Sequence, residues 1–487
     1  MPVKLYNTLT KQVEEFTPIT EGKVSLYTCG PTVYDYPHVG NWASFIYWDI
    51  LVRTLIASGY KVERVMNLTD VGHLVSDADD GEDKLEKGAR REGKTAWDIA
   101  QFYSQDFIDG MEKLGLLAPD HLVRATDFIQ QQLDLVQILK DKGYTYQTTD
   151  GVYFDTSKFA TYADFAHLDL DAQMAGARVE ANSEKRQPWD FALWKFTEPG
   201  KKRDMEWPTP DSLLDLPPTT ADDPVMGFPG WHLECSAMAM SILGPTIDIH
   251  TGGIDHIPVH HTNEIAQSEA ASGEQFAHYW LHNNHLKIDG GKVSKSLGNG
   301  YTLQDLAERG FSPLDFRLFI LQGQFTSEGN FTFENVEAAK NRLANWRRYA
   351  ELRHQTHAST EKDAEASLPS MAAVSALKAA LQNNLNTPEA LRIVDETFSS
   401  LDGRNLTSIN RQHLILFIEA IDELLGLQLM QSTPDIDDAA KRTILERRRA
   451  RDNKDWQTSD TLRDELTARG IYVKDTVNDT VWSQIAP

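Results

Sequence analysis

The hydrophobic pattern near the N-terminus predicts a β-α-β unit. Residues 23–28 carry side chains typical of a strand, residues 42–58 show the apolar periodicity of a helix that ends before Gly59, and residues 61–67 form a second strand-like segment. The crossover in such a unit is right-handed, and the two strands pair in parallel. The turn at residues 29–41 therefore lies at the carboxyl edge of a parallel sheet, where a helix N-terminus attracts anions.

Beyond residue 95 the pattern departs from this sheet and later returns to it. Helical periodicity and a hairpin signal at Asp150-Gly151 predict an insertion at about residues 95–228. A strand-like segment at 246–250, followed by a helix that ends before Gly273, brings the chain back to the sheet. From residue 303 onward the periodicity is mainly helical.

The predicted fold class is therefore α/β. A Rossmann-type parallel-sheet domain that contains the insertion is expected at residues 1–302. At 487 residues the chain is too long for one hydrophobic core. After the first domain we predict a helical region at 303–353, a helical bundle at 354–435 and a small C-terminal α+β domain at 436–487.

Composition and charge exclude several classes of protein. Hydrophobic residues make up 41% of the chain and charged residues 25%, and no apolar run approaches the length of a membrane span. The start of the chain does not resemble a signal peptide, so we expect a cytoplasmic protein with no membrane partner. The net charge of −24 argues against indiscriminate coating of nucleic acid, because phosphate neutralisation supplies most non-specific affinity.

The two cysteines of the chain, Cys29 and Cys235, cannot form a disulfide framework. One interpretation is that both are buried thiols. Another follows from His260 and Glu264, which share one face of a predicted helix at positions i and i+4. Two thiolates, an imidazole and a carboxylate suit tetrahedral zinc, and sulfur ligands exclude magnesium and calcium.

Other histidines surround this pair in the sequence. His256 stands four residues before His260, and His261 is its neighbour, so both compete with it as ligands. For His250 and His256 we favour hydrogen bonding at the end of a strand or helix. The residues alone therefore leave the ligand set open.

Two short motifs carry a resemblance to a known family. Pro37-His-Val-Gly-Asn41 resembles the "HIGH" signature of class I aminoacyl-tRNA synthetases, and Lys292-Val-Ser-Lys-Ser296 resembles their "KMSKS" loop. Each motif alone is common, but here both occur in the expected order and next to strand-like segments. The flanking segments 27–35 and 230–238 are similar to those of the cysteinyl-tRNA synthetases, and the similarity covers nearly the whole chain.

The resemblance implies a ligase that works in two steps. L-cysteine and ATP give cysteinyl-adenylate and pyrophosphate, and the cysteinyl group then passes to the terminal adenosine of tRNA(Cys). Zinc, one ion per chain, would select the substrate thiolate, and Mg2+ would accompany ATP. The expected partners are L-cysteine, ATP and tRNA(Cys), and the chain is expected to act as a monomer.

The resemblance also assigns site residues. The matching metal ligands are Cys29, Cys235, His260 and Glu264. The matching catalytic residues are His38, Asn41, Lys292 and Lys295. The ATP-binding residues are Gly30, His38, Asn41, Thr69, Trp231, Lys292, Ser294, Lys295 and Ser296. Residues 303–353 are expected to contact the tRNA stem, and residues 436–487 to read the anticodon with Arg451, Trp456, Asp460 and Asp475.

Three other functions stay open at this point. A same-fold ligase that joins cysteine to an amino sugar, as in mycothiol synthesis, would share every active-site motif but should lack the C-terminal tail. A zinc hydrolase would use the same ligands with an open water position, and would leave the Lys292 loop unexplained. A zinc-containing RNA-binding protein without catalysis would have no need of His38 or Lys295.

Overall fold

The computed structural model describes residues 2–72, 84–167, 184–215, 224–293, 298–356, 369, 371–476 and 479–484. Its strands are β1 Lys4–Asn7, β2 Gln12–Glu15, β3 Lys23–Thr28, β4 Lys61–Leu68, β5 His121–Arg124, β6 Thr145–Thr148, β7 Gly151–Phe154, β8 Phe191–Phe196, β9 Trp207–Pro208, β10 Met226–Pro229, β11 Ile247–Gly253, β12 Ala277–Asn283, β13 Leu286–Ile288, β14 Gly329–Phe331, β15 Tyr472–Asp475 and β16 Thr480–Ser483.

The helices of the first part of the chain are α1 Val39–Ala57, α2 Lys84–Glu92, α3 Ala96–Lys113, α4 Ile129–Asp141, α5 Trp231–Leu243 and α6 Thr262–Ser272. A π-helical turn, Ile257–His261, leads directly into α6. The later helices are α7 Leu303–Glu308, α8 Pro313–Leu321, α9 Phe333–Glu351, α10 Ala372–Gln382, α11 Thr387–Ser399, α12 Arg411–Leu425, α13 Leu429–Ser432, α14 Asp438–Asp452 and α15 Trp456–Ala468.

A parallel sheet forms the centre of the first domain. Its strands lie in the order β12-β11-β3-β4-β5, and every neighbouring pair is parallel. Helix α1 connects β3 to β4 and is buried along most of its length, which explains why its sequence is apolar on nearly every face. The predicted β-α-β unit and the α/β fold class are confirmed.

A second sheet, which is antiparallel, lies between β5 and β11 in the sequence. Its order is β6-β7-β8-β10-β9, and the predicted hairpin is present, with Thr148 opposite Gly151. Strand β5 belongs to the central sheet, because Val65 to Leu68 of β4 pair with it in parallel. The departure from the central sheet therefore begins after Arg124, later than the expected start near residue 95.

The C-terminal part of the chain is mainly helical. Helices α10 to α12 pack against α1, α8 and α9, and share their hydrophobic core with the central sheet. Helices α14 and α15 and the β15-β16 hairpin form a small unit with a separate core of Ile436, Ala440, Ile444, Leu466, Ile471 and Trp482. No helix in the part of the chain that the structure describes is long and apolar enough to cross a membrane.

A buried cluster of charges joins α1 to the helical part. Arg317 of α8 and Arg53 of α1 both contact Asp49 Oδ2, at 2.5 and 2.7 Å. The Arg317 Nε–H donates to the carbonyl oxygen of Leu425, at the end of α12. Burial raises the pKa of Asp49, but Arg317 and Arg53 outweigh it and hold that pKa below its ordinary value. The carboxylate therefore contributes stability at neutral pH, and this contribution is lost as the pH falls through the folded-state pKa.

We expect the substitution Asp49→Ala to lower the free energy of unfolding by about 3–5 kcal/mol, because it leaves the buried guanidinium of Arg317 without its counter-charge. Urea unfolding followed by circular dichroism measures this change. Asp452→Ala, at an exposed position of α14, is the matched control and should change the free energy by about 0.5 kcal/mol or less. A loss below about 1 kcal/mol for Asp49→Ala would contradict a stabilising role for the cluster.

Candidate active site and metal centre

The candidate site begins where β3 and β4 end. The Gly30 N–H donates to Asn67 Oδ1 at 2.8 Å, and Asn67 Nδ2 donates to Thr69 Oγ1 at 3.0 Å. A Cβ atom at residue 30 would lie 1.7 Å from the carbonyl oxygen of Asn67, so only glycine fits. Asn67 therefore brings together two of the predicted ATP-binding residues at the carboxyl edge of the sheet.

His38 and Asn41 form a capping box at the start of α1. His38 Nδ1 accepts from the Asn41 backbone N–H at 3.2 Å, and Asn41 Oδ1 accepts from the His38 backbone N–H at 3.1 Å. Because Nδ1 is an acceptor, the neutral imidazole carries its proton on Nε2. The imidazole Nε2–H and the side-chain amide N–H groups of Asn41 are donors at the N-terminus of α1, where the helix dipole favours an anion.

The two signature motifs meet in the folded chain. Thr302 forms an antiparallel bridge with His38, and the Val39 N–H donates to the Tyr301 carbonyl oxygen at 2.7 Å. A Cβ atom at Gly40 would lie 3.7 Å from Val293 Cγ2, which places the Lys292 loop against the start of α1. The predicted site residues Ser294, Lys295 and Ser296 lie outside the described residues.

A compact group of ligand atoms lies at the same edge of the sheet. Single ligand atoms of Cys29, His260, His261 and Glu264 all lie within 4.8 Å of one another, and all four residues are buried. His260 Nε2 lies 3.0 Å from Glu264 Oε1, as expected for residues one helical turn apart. Cys29 Sγ lies 3.4 Å from His261 Nε2 and 3.9 Å from Glu264 Oε1. These donors match the nitrogen, sulfur and oxygen ligands of zinc.

The fourth predicted ligand, Cys235 of α5, is not one of these four residues. It is also buried, and its thiol interacts with both Cys29 and His260. A hydrogen bond with Cys29 lowers the pKa of Cys235 to about 7, against the effect of burial. The structure thus brings the predicted set together around one point but adds His261 as a fifth neighbour. His261 was a competing ligand in the sequence, and its spacing of three residues to Glu264 also puts the two side chains on one helix face.

Charge within the group is distributed between Glu264 and His260. Burial raises the pKa of Glu264, but His250 and His260 outweigh it and hold that pKa well below its usual range. Burial lowers the pKa of His260, yet the carboxylate of Glu264 and the thiol of Cys235 raise it overall to about 10. Burial and Cys235 raise the pKa of the Cys29 thiol. A bound cation would displace these protons, so metal affinity should fall as the pH falls.

Further histidines orient the group. His250 Nε2 lies 2.9 Å from Glu264 Oε2, so His250 is a hydrogen-bonding residue as predicted, but it lies within β11 and not at its end. His261 Nδ1 lies 2.7 Å from His282 Nε2, and His282 Nδ1 lies 2.8 Å from Thr8 Oγ1. Partners of this kind fix the ring orientation of metal ligands. Neither His282 nor Thr8 carried a periodicity signal in the sequence.

Trp231 lies directly beside the metal group. It is the first residue of α5, and its ring stacks on His260 with a centroid distance of 4.5 Å and an angle of 27°. Gly230 precedes it because a Cβ atom there would lie 1.9 Å from the Ala192 carbonyl oxygen. Trp231 therefore packs directly against one of the predicted metal ligands, and its contact with ATP stays a prediction.

The predicted anticodon residues lie together in the C-terminal unit. Arg447 binds Asp475 through two hydrogen bonds of 2.8 and 2.7 Å, and Arg451 Nη1 lies 3.1 Å from the same carboxylate. The Arg447 bonds lower the pKa of Asp475 to about 2. Asp475 thus joins β15 to α14 inside the unit. Trp456 is 56% exposed, and the guanidinium of Arg451 lies 5.6 Å from its ring centroid. The side chain of Asp460 is also exposed.

Solved structures of tRNA synthetases share this fold. Mycobacterium tuberculosis methionyl-tRNA synthetase in complex with methionyl-adenylate matches with a TM-score of 0.56 and 15% identity, over 84% of this chain and 91% of that chain. An Agrobacterium radiobacter K84 LeuRS, in a ternary complex with tRNA and LeuAMS, matches with a TM-score of 0.61 and 12% identity, over 87% and 88%. The parallel sheet and the two apposed motifs define a class I aminoacyl-tRNA synthetase, and residues 15–341 match the family described as tRNA synthetases class I (C) catalytic domain.

More similar relatives narrow this class. The cysteine–tRNA ligase of Treponema denticola is 38% identical over an alignment of 511 positions, which covers all of both chains. Cysteine–tRNA ligase 1 of Burkholderia lata is 42% identical over 98% of this chain and 96% of its own. Residues 433–482 match the cysteinyl-tRNA ligase anticodon binding domain. The chain belongs to the cysteine–tRNA ligase family.

Proposed function

We propose that this protein activates L-cysteine with ATP to form cysteinyl-adenylate and transfers the cysteinyl group to the terminal adenosine of tRNA(Cys). One observation carries the proposal: the buried group of Cys29, His260, His261 and Glu264 lies at the same sheet edge as the capped start of α1 and the Lys292 loop. A centre suited to a thiol beside a centre suited to phosphate fits a substrate that has a thiol and becomes joined to a nucleotide.

Zinc is the metal that this donor set fits. The buried sulfur, imidazole and carboxylate donors favour zinc over magnesium and calcium, and Cys29, Cys235, His260 and Glu264 would hold it, with His261 as the competing ligand. When bound, zinc would supply a Lewis acid that takes the substrate sulfur as a thiolate. Mg2+ would accompany ATP as its counter-ion.

The residues of the chain itself position and neutralise charge. The donors of His38 and Asn41 would hold the ATP phosphates at the start of α1. Lys292, which is exposed next to Val293, would meet the negative charge that develops on the leaving pyrophosphate. Attack of the cysteine carboxylate on the α-phosphorus depends on such positioning and neutralisation rather than on covalent help from the protein.

The test of the proposal is cysteine-dependent exchange between ATP and pyrophosphate, followed by charging of tRNA(Cys). Exchange that requires cysteine would exclude a hydrolase and a non-catalytic RNA-binding protein, and charging would exclude an amino-sugar ligase. The match of residues 433–482 to an anticodon binding domain already supports tRNA over an amino sugar. A protein that shows neither exchange nor charging would refute the proposal.

Cobalt in place of zinc tests the role of the metal group. Addition of cysteine should produce an additional thiolate-to-metal absorption band beyond those of the protein's own cysteines, whereas serine should not, because its hydroxyl stays protonated and is a poor ligand at neutral pH. Serine should also fail to support exchange. To discriminate cysteine from serine, the site needs a difference of two or more orders of magnitude in affinity, or about 2.7 kcal/mol. A metal–sulfur bond supplies a difference of this size. An unchanged spectrum would mean that the metal is structural.

We expect the substitution Lys295→Ala to slow adenylate formation by ~10²- to 10³-fold while cysteine binding stays nearly intact. The reason is that an ammonium group which meets the charge developing on pyrophosphate stabilises the transition state more than the bound substrates. Single-turnover kinetics with cysteine and ATP measure the rate. Lys287→Ala, an exposed lysine of β13 that pairs with Glu328, is the control. Normal exchange by Lys295→Ala would remove this residue from the mechanism.

A further inference from the structure

The C-terminal end of α9 and the turn after it contact the backbone of the C-terminal hairpin. Gln355 Nε2 donates to the Trp482 carbonyl oxygen at 2.9 Å, and Gln355 Oε1 accepts from the Trp482 N–H at 2.8 Å. One turn earlier, Glu351 Oε1 accepts from the Gln484 N–H at 2.9 Å. Two side chains at this helix end therefore bind backbone groups of Trp482 in β16 and of Gln484 just after it, in the manner of a neighbouring strand.

The spacing of the two elements explains why these contacts fit. Gln355 follows a 3-10 turn, Leu352–His354, at the end of α9, so the four steps from Glu351 advance ~6–8 Å. Two residues of a strand, such as 482 and 484, span ~6.7 Å. Gln355 is also held in place, because its Nε2 donates to the Glu351 carbonyl oxygen at 3.3 Å. The spacing of the two side chains at the helix end thus matches the spacing of alternate residues in the strand, and the side chains cover the strand edge.

The ring of Trp482 anchors the same contact. Trp482 belongs to the small C-terminal core, and its ring stacks on His354 with a centroid distance of 6.2 Å and an angle of 14°. His354 in turn lies 3.0 Å from the Thr433 carbonyl oxygen, just before the C-terminal unit in the sequence. The amide of Gln355 is therefore the polar centre of the seam between α9 and this unit.

The other end of α9 lies beside the Lys292 loop. Strand β14 comes immediately before α9 and pairs in parallel with β13, and the Asp289 N–H donates to the Phe331 carbonyl oxygen at 3.0 Å. The Gly290 N–H donates to Asn330 Oδ1 at 2.8 Å. Helix α9 contains 19 residues and is about 28 Å long. It therefore connects the turn before Lys292 with the unit that matches an anticodon binding domain.

We propose that Gln355 is a positioning residue for tRNA. Through its paired hydrogen bonds to Trp482, it sets the C-terminal unit at a defined distance and angle from the catalytic centre, so that one tRNA reaches both. This inference rests on the proposed function, because it assumes that the substrate is a tRNA long enough to contact both regions. It predicts that the seam affects full-length tRNA and leaves cysteine activation unchanged.

The experiment compares Gln355→Ala with the parent protein on two RNA substrates. One is the full-length tRNA(Cys) transcript, and the other is a minihelix of its acceptor and T stems without the anticodon. We expect kcat/KM for full-length tRNA to fall about ten-fold, which corresponds to about 1.4 kcal/mol. Charging of the minihelix and cysteine-dependent exchange should stay within about two-fold, or about 0.4 kcal/mol. Neither reaction needs the C-terminal unit to be positioned against an anticodon.

Two further variants separate hydrogen bonding from packing. Gln355→Glu has nearly the same shape but turns a carboxylate oxygen toward the Trp482 carbonyl, so it should lower charging of full-length tRNA at least as much as Gln355→Ala does. Gln412→Ala, at an exposed position of α12, is the matched control and should behave as the parent does. Normal charging of full-length tRNA by Gln355→Glu would overturn the proposal, because it would show that the paired hydrogen bonds are not needed.

The outcomes also separate this inference from the proposed function. If the parent protein charges full-length tRNA, the ratio of each variant to the parent tests Gln355 alone. An equal loss on tRNA, minihelix and exchange would refute the positioning role, because it would indicate a general loss of folded protein. If the parent neither exchanges nor charges, the proposed function fails, and small-angle X-ray scattering then tests the seam. A wider distribution of dimensions for Gln355→Ala than for the parent supports the seam, and identical scattering refutes it.

Discussion

Replacement of His260 by alanine is expected to release the bound metal and to lower cysteine activation by ~10³-fold or more, equivalent to about 4 kcal/mol. His260 lies in the centre of the group, 3.0 Å from Glu264 Oε1 and in contact with Cys235. Its loss removes a ligand and also removes one of the imidazoles that contact the buried carboxylate of Glu264. Metal content measured by inductively coupled plasma mass spectrometry and exchange kinetics check the two parts of this prediction.

ATP binding should survive the same substitution, because the donors of His38 and Asn41 belong to α1 and not to the metal group. Calorimetric titration with ATP tests this point. His278→Ala removes an exposed histidine of β12 and serves as the matched control, with normal metal content and normal exchange. If His260→Ala kept its metal and its rate of exchange, the buried group would have to be a hydrogen-bonded core cluster.

The same measurements decide between Cys235 and His261 as the remaining ligand. We expect Cys235→Ser to lose the metal and His261→Asn to retain it. Nδ1 of His261 is paired with His282 at 2.7 Å, and His282 with Thr8, but a partner of this kind also orients a metal ligand, so the preference for Cys235 rests on its sulfur. Cys235 offers a sulfur beside Cys29, and thiolates bind zinc strongly. The reverse result would place His261 in the coordination sphere and Cys235 outside it.

Local patterns were sufficient to predict the elements that carry the site. The strand, turn and helix around His38 follow from the apolar pattern, and the observed capping box joins residues only three apart. The pairing of His260 with Glu264 follows from helical spacing for the same reason. The identical argument applies to His261 at three residues from Glu264, so spacing alone could not separate the two histidines.

Contacts between distant segments had no local signal. Thr302 meets His38, and Val293 meets Gly40, because β13 and the following loop fold back over α1. Only the resemblance to a family linked the two motifs before the structure was known. The same holds for Cys29 and Cys235, which reach one point from the end of a strand and from a separate helix.

Strand β5 shows a different limit of sequence reasoning. It has only four residues, all of intermediate burial, and lies between two clearly helical segments. At the edge of a sheet such a short strand carries little apolar periodicity, so the predicted insertion included it.

Asp475 shows a related limit, because a carboxylate predicted to face RNA also binds Arg447 within the folded C-terminal unit. Sequence pattern cannot distinguish those two uses of a charged side chain.

Removal of residues 435–487 is expected to lower charging of full-length tRNA(Cys) by ~10³-fold while cysteine-dependent exchange stays near the parent rate. Stacking on aromatic side chains contributes ~1–3 kcal/mol per base, so the loss of two or three stacked anticodon bases accounts for a change of this size. Trp456, 56% exposed beside Arg451, is the side chain in this unit best placed for such stacking.

The position of the cut follows from the packing of the chain. The buried residues of the C-terminal unit form a separate hydrophobic core, so its removal takes no buried residue from the core of the central sheet and helical bundle and uncovers only the contact of Val481 with it. A chain that ends at Pro434 keeps the hydrogen bonds of Arg353 to the side chain and carbonyl oxygen of Thr433, at 2.6 Å each. The truncated protein should therefore stay folded and charge the minihelix at the parent rate. Equal loss of exchange and charging would show that residues 435–487 are needed for the fold itself, and would contradict their assignment to anticodon recognition.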